Sequence, residues 1–164
     1  MKATPKAGLM LGILVVAWTF VMGVTGWYKD PVKQYFFYVV VLIEIGVLVW
    51  GLRLTAKEGK TYGGQVGAGT LMAVIGAVII FFGSIFFTTV AYPNYFTEIH
   101  DIGRQTIMAQ GLTAEQADAQ LKLMEPMQTP LVQALLGAVM TVVTGFVASL
   151  VIAAVLRKKP AAQV

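Results

Sequence analysis

From Ala68 to Ala91 the chain carries no charged side chain. As a helix, that run reaches roughly 36 Å, longer than the ~30 Å hydrocarbon core of a bilayer. Lipid offers no water to satisfy stray backbone groups, so an uncharged apolar run of this length reads as a membrane-spanning helix. Composition agrees. Of 164 residues, 57% are hydrophobic and 12% charged, with a mean hydropathy of +0.76, whereas a soluble domain carries about 25% charged residues. There is too little polar surface to cover a water-soluble globule, so the expected fold class is all-α: an integral membrane four-helix bundle forming a single membrane domain.

Three further apolar runs complete the four spans, at about 8–27, 34–54 and 131–156, with 68–91 third in order. Met1–Ala7 is a short basic leader with Lys2 and Lys6. Together with the first run it shares features with a signal peptide, but the run is long for an h-region and no A-x-A-like site follows. It reads as a retained span closed by the interface pair Trp27-Tyr28. Lys29-Asp30-Pro31-Val32-Lys33 is a tight polar turn, and Tyr35-Phe36-Phe37-Tyr38 opens the second span as another interface belt. The second loop runs from Thr55 to Gly67, with Gly59, Gly63 and Gly64 loosening its backbone.

The segment 93–130 is a small extramembrane helical insertion between spans three and four. Tyr95, Phe96, Ile99 and Ile102 follow helical spacing, Gly111 interrupts, and Thr113-Ala114-Glu115-Gln116 forms a capping box. It opens a second short helix that ends near Met124, before Pro126. Thr129-Pro130 then launches the last span, which ends at Arg157-Lys158-Lys159.

Sidedness follows from the basic residues. Of the twelve Lys and Arg, eight lie at the N-terminus, second loop and C-terminus (Lys2, Lys6, Arg53, Lys57, Lys60, Arg157, Lys158, Lys159). Lys29, Lys33, Arg104 and Lys122 fall in the first loop and the insertion, which also holds Glu98, Asp101, Glu115, Asp118 and Glu125. The positive-inside rule then places both termini in the cytoplasm. The expected location is a bacterial inner membrane, with the insertion in the periplasm.

Small residues recur every four positions in the last two spans: Gly69, Ala73 and Ala77 in the third, and Gly137, Thr141, Gly145, Ser149 and Ala153 in the fourth. Helices associate in lipid through close backbone approach, so these stripes are packing faces, toward another span or another protein. Glu44, near the middle of the second span in Val41-Leu42-Ile43-Glu44-Ile45-Gly46, is the candidate intramembrane polar site. A carboxylate at that depth costs about 2.5 to 3.5 kcal/mol on insertion scales. It serves either as a proton or cation site, or structurally, hydrogen-bonded to a hydroxyl such as Thr19, Thr141 or Thr144.

Other motifs carry less. Tyr62-Gly63-Gly64-Gln65 lacks the spacing and the lysine of a phosphate loop and reads as a turn at which the chain enters the membrane. Glu98-Ile99-His100-Asp101 has ligand-type residues, but His100 does not share the helix face of Glu98 and Asp101. Met108, Met124 and Met127 with Leu121 and Leu123 form either a docking face or the surface by which two short helices pack onto the membrane. The chain has one histidine and no cysteine, and no Ser-His-Asp set, HExxH or paired carboxylates. The expectation is no enzyme, no cofactor, no bound metal and no nucleic-acid partner.

Several motifs recur together in one known family: Lys60-Thr61-Tyr62-Gly63-Gly64-Gln65 with Gly69, then Ala91-Tyr92-Pro93-Asn94-Tyr95-Phe96, Gly111-Leu112-Thr113-Ala114-Glu115-Gln116, Met124-Glu125-Pro126-Met127, and the glycine-rich last span with its Arg157-Lys158-Lys159 end. On these the chain resembles the bacterial membrane family catalogued as domain of unknown function 4199. The resemblance implies a four-helix integral membrane protein and carries over no catalytic residue. The expected role is an accessory or scaffold subunit working in the lipid bilayer through other membrane proteins or self-association. The alternative is a small transporter or channel component using Glu44.

Overall fold

The computed structural model describes residues 2–156; the basic end Arg157-Lys158-Lys159 lies outside them. The described residues form six α-helices and no strand: α1 (Ala3–Val24), α2 (Val39–Lys57), α3 (Tyr62–Phe86), α4 (Tyr95–Ala109), α5 (Ala114–Met124) and α6 (Pro130–Leu156). With their flanking turns, α1, α2, α3 and α6 are long and apolar enough to cross a membrane, over Ala3–Val24, Lys33–Lys57, Tyr62–Ala91 and Pro130–Leu156. The molecule is an integral membrane four-helix bundle with a helical hairpin, α4–α5, inserted between the third and fourth spans.

The four spans run alternately up and down. The end carrying Glu58–Thr61 is called here the loop end, and the end carrying the α1–α2 connection and the hairpin the hairpin end. Around the bundle the order is α1, α3, α6, α2, with α2 and α3 touching across the middle. The core joins α1, α2 and α3 through Ala7, Leu11, Val15, Val47, Leu48, Leu52, Ala68, Met72 and Ile80. Backbones approach closely where a side chain is missing. A Cβ on Gly8 or Gly12 would collide with Ile75 or Ile79 of α3, which is how α1 and α3 pack without the hydrophobic drive available in water.

Two helix limits differ from the sequence reading. α1 starts at Ala3 rather than near Gly8, because Pro5 falls in its first turn, where the missing N–H would have had no partner. α3 starts at Tyr62, so Gly63 and Gly64 lie within a helical turn instead of a loop. The cause is a cap: Thr61 Oγ1 accepts from the Gly64 N–H at 3.3 Å, and Tyr62 reaches across to donate to the Leu150 carbonyl at 3.3 Å. The turn therefore sits at Glu58–Thr61, where Gly59 takes a positive φ of 80°.

The first connection is more ordered than a polar turn. Gly26, at φ 67°, reverses the chain after α1, and the 3-10 turns Trp27–Lys29 and Lys33–Tyr38 follow. Asp30 Oδ1 caps the second by accepting from Val32 N at 2.9 Å and Lys33 N at 3.1 Å. Trp18 donates to the Phe36 carbonyl at 2.9 Å, and Tyr35, Phe36, Phe37 and Tyr38 point outward, as an aromatic belt does.

Candidate functional site

Two places in the bundle hold polar chemistry. The first is built on Glu44, in the second turn of α2 and midway along the Lys33–Lys57 span, and only 5% exposed. Its Oε2 accepts from Thr144 Oγ1 at 2.8 Å. Of the three hydroxyls named above, Thr144 alone reaches it; Thr19 donates to the Val15 carbonyl and Thr141 to the Gly137 carbonyl. The other oxygen, Oε1, is buried without a hydrogen-bond partner. Gly145 makes room for it: a Cβ there would stand 3.0 Å from Oε1 and collide with Ala73. One α6 glycine thus serves both the helix contact and the carboxyl group.

Thr144 has a single proton and several acceptors, since its Oγ1 also lies 2.8 Å from the Met140 carbonyl. It can donate to Glu44, or it can donate to Met140 and receive a bond from a carboxylic acid at Glu44. The site therefore accommodates two hydrogen-bond arrangements that differ by one proton on Glu44.

The packing stripes meet over only part of their length. Gly69 faces Ser149 and Ala73 faces Gly145, so α3 and α6 interlock toward the loop end. Ser149 is fully buried and donates back to the Gly145 carbonyl; Ala153 is buried as well. Nearer the hairpin end a groove opens between the two helices, although Ala134, one turn before Gly137, is again fully buried. Ala77, Val78, Phe81, Ala138 and Val142 line an apolar groove of about 420 Å³, and a Cβ on Gly137 would meet nothing within 4 Å. Thr141, half-buried, lies between these two regimes.

The second place lies where the first connection meets the hairpin. Beyond Phe86 the third span winds into a π-helical turn, Phe87–Ala91, with Tyr92 N donating to the Phe87 carbonyl at 2.8 Å. Such turns often mark functional sites. This one delivers Tyr92 and Tyr95 against Phe87 and Tyr28, with ring centroids 4.6 Å (Phe87–Tyr92) and 5.3 Å (Tyr28–Tyr95) apart. Tyr28 donates to Glu98 Oε2 at 2.5 Å, and Lys29 Nζ lies 2.8 Å from Glu98 Oε1. A cavity of about 430 Å³ opens beside this group, between Gly23–Lys29 and Ala91–Tyr95. The Lys29 ammonium, then the Tyr28 hydroxyl, hold the Glu98 carboxyl below the usual range. Burial, then the Glu98 hydrogen bond, pushes Tyr28 up to about 12. The arrangement is a latch: one carboxylate on α4 gripped by two side chains of the first connection.

The sequence reading put Tyr28 in an interface pair and Lys29 in a polar turn, but it joined neither to Glu98 and did not mark the π turn. The usable signal was Tyr92-Pro93 directly after the uncharged run. Gln65 was also missed; it is buried at the loop end with its Oε1 unpartnered. His100 and Asp101 approach no closer than 4.0 Å on the surface, and no three His, Asp or Glu gather among the described residues.

No curated protein and no solved structure matches the chain. A family model described as "Protein of unknown function (DUF4199)" matches residues 6–158. With that match running nearly end to end, the chain belongs to the DUF4199 family.

Proposed function

We propose that the protein is a non-enzymatic accessory or scaffold subunit of a larger membrane complex, which it joins by seating a transmembrane helix of another protein in the α3–α6 groove. The observation that carries this reading is the half-closed stripe. Small residues permit close helix approach, and on α6 they continue to Gly137, where an added Cβ would meet no neighbouring side chain. The groove there is apolar and floored by Ala77 and Ala138. α6 is also the least covered span: 17% of its apolar window is buried, against 28% to 39% in the other three. The surface ion pairs Lys29–Glu98, Lys33–Asp30 and Arg104–Asp118 tie turns and helices to one another, a structural rather than a catalytic use of those charges.

The location belongs to the proposal: a bacterial inner membrane, both termini cytoplasmic, the α4–α5 hairpin periplasmic. It rests on the distribution of Lys and Arg. The test of the groove is a photo-crosslinking residue placed at Val142 or Val78 in native membranes. One defined adduct, abolished by Ala138→Trp, is expected; adducts to lipid alone would overturn the assignment.

The unpartnered Oε1 favours a second reading, in which Glu44 is a proton or cation site of a small transport component. Its test is Glu44→Gln in proteoliposomes, where a loss of proton flux at unchanged folded yield is expected. Equal flux and equal yield would end that reading.

A further inference from the structure

The end of α5 and the turn after it form an apolar surface without a partner in the chain. Leu123 is 81% exposed, and Met124, Met127 and Leu131 are each 56% exposed. Leu121, in contrast, is buried against α4 beside Gly103, so the hairpin's own core is already filled and these four side chains lie outside it. They follow one another through the 3-10 turn Glu125–Met127, which packs on the start of α6.

That position sets their level. α6, with 27 residues, is about 40 Å long, which matches the ~40–45 Å of a bilayer including its headgroup layers. Its first turn therefore lies among the headgroups, and Leu131 is followed one turn on by the outward-facing Leu135. The patch on α5 is thus continuous with the lipid-facing surface of a span. Lys122 and Glu125, the charged residues that flank it, cancel, so apolar contact rather than charge is what it offers.

We infer that Leu123, Met124 and Met127 seat the end of the hairpin in the headgroup–acyl boundary of the bilayer, as an interfacial anchor whose partner is the lipid surface itself. The hairpin is then held at both ends: at Glu98 by the Tyr28–Lys29 latch, and at Leu123–Met127 by lipid. Interfacial segments of this kind bury their apolar side chains about 5–10 Å into that boundary.

The chain has no cysteine, so single environment-sensitive labels can be placed at Leu123→Cys, Met127→Cys and, at the far end of α5, Glu115→Cys. The full-length protein is reconstituted in phosphatidylethanolamine–phosphatidylglycerol vesicles. Each label is quenched by aqueous iodide and, separately, by lipids carrying a shallow nitroxide. Labels at 123 and 127 are expected to show several-fold weaker iodide quenching and several-fold stronger lipid quenching than the label at 115, unchanged at high salt. Iodide quenching equal to that at 115 would overturn the anchor. So would protection from both quenchers, which means that a second protein covers the patch.

Discussion

At the scale of single residues, the packing of α6 turns on how little space surrounds Glu44. Removing the Thr144 hydroxyl leaves both carboxyl oxygens without a donor, and a buried polar group left unsatisfied costs about 1–3 kcal/mol. Thr144→Val is therefore expected to lower the unfolding free energy in detergent by about that amount, measured by denaturant titration. Gly145→Ala forces a methyl against Ala73 and Glu44, and overpacking of this kind costs about 1–3 kcal/mol. Gly137→Ala meets no neighbour and leaves the stability of the purified protein essentially unchanged. The two glycines look alike in sequence; what separates them is that Gly145 is pressed against Ala73 and Glu44 while Gly137 faces open space. For that reason Glu44 was legible as a buried carboxylate, but its partner among Thr19, Thr141 and Thr144 was not. Depth selects the candidates, and helix rotation, which hydropathy does not encode, chooses between them.

The latch at Glu98 carries a pH dependence whose sign can be worked out. Its carboxyl titrates below the ordinary value of 4.5 in the folded protein, so the latch contribution is complete above that value and is lost as pH falls through the folded one. Amide exchange in α4 is expected to rise in that acid range, ahead of exchange in α1 and α3. Glu98→Gln, which cannot form the ion pair, removes the rise. An acid response identical in Glu98→Gln would mean that other groups hold α4.

At the scale of elements, runs and caps were readable while local winding was not. Thr113 and Gln116 close the capping box expected from their spacing, at 3.0 and 3.3 Å, because a cap is written in residues three apart. Thr113→Ala is expected to cost about 1 kcal/mol, seen as faster exchange in α5 and its contacts with α4 at an unaltered bundle melting temperature. The π turn at Phe87–Ala91 and the 3-10 stretch Lys33–Tyr38 left no such mark. Both continue an apolar span, and apolar periodicity tolerates one residue more or less per turn. Thr61 shows the opposite error. Gly63 and Gly64 suggested a loop, yet a single N-cap and the long uncharged run behind them keep both in helix. The α4–α5 hairpin is closed by Arg104 on Asp118, 2.6 Å between Nε and Oδ1, and by Leu121. It is a small unit hung from the bundle by its two ends.

At the scale of the whole molecule, four spans joined by two short connections and one helical hairpin form an up-down bundle, and the order α1, α3, α6, α2 follows from where glycine and alanine allow close approach. The proposed orientation predicts that a cysteine at the hairpin tip, Gln110→Cys, reacts with a membrane-impermeant maleimide in intact cells. One in the α2–α3 turn, Lys60→Cys, should react only after lysis; the reverse pattern would invert the protein in its membrane. The same bundle leaves α6 the least covered of the four spans, with an apolar groove against α3 beside Ala138 and Val142, and this opening underlies the proposed role as a subunit. The most direct measurement is affinity purification of the full chain from native membranes in gentle detergent, alongside Ala138→Trp, with protein stoichiometry determined by mass spectrometry. The account predicts one stoichiometric membrane partner with the unaltered chain, lost with Ala138→Trp while the bundle's melting temperature holds. Recovery of the unaltered chain alone, or a partner retained by Ala138→Trp, would contradict it.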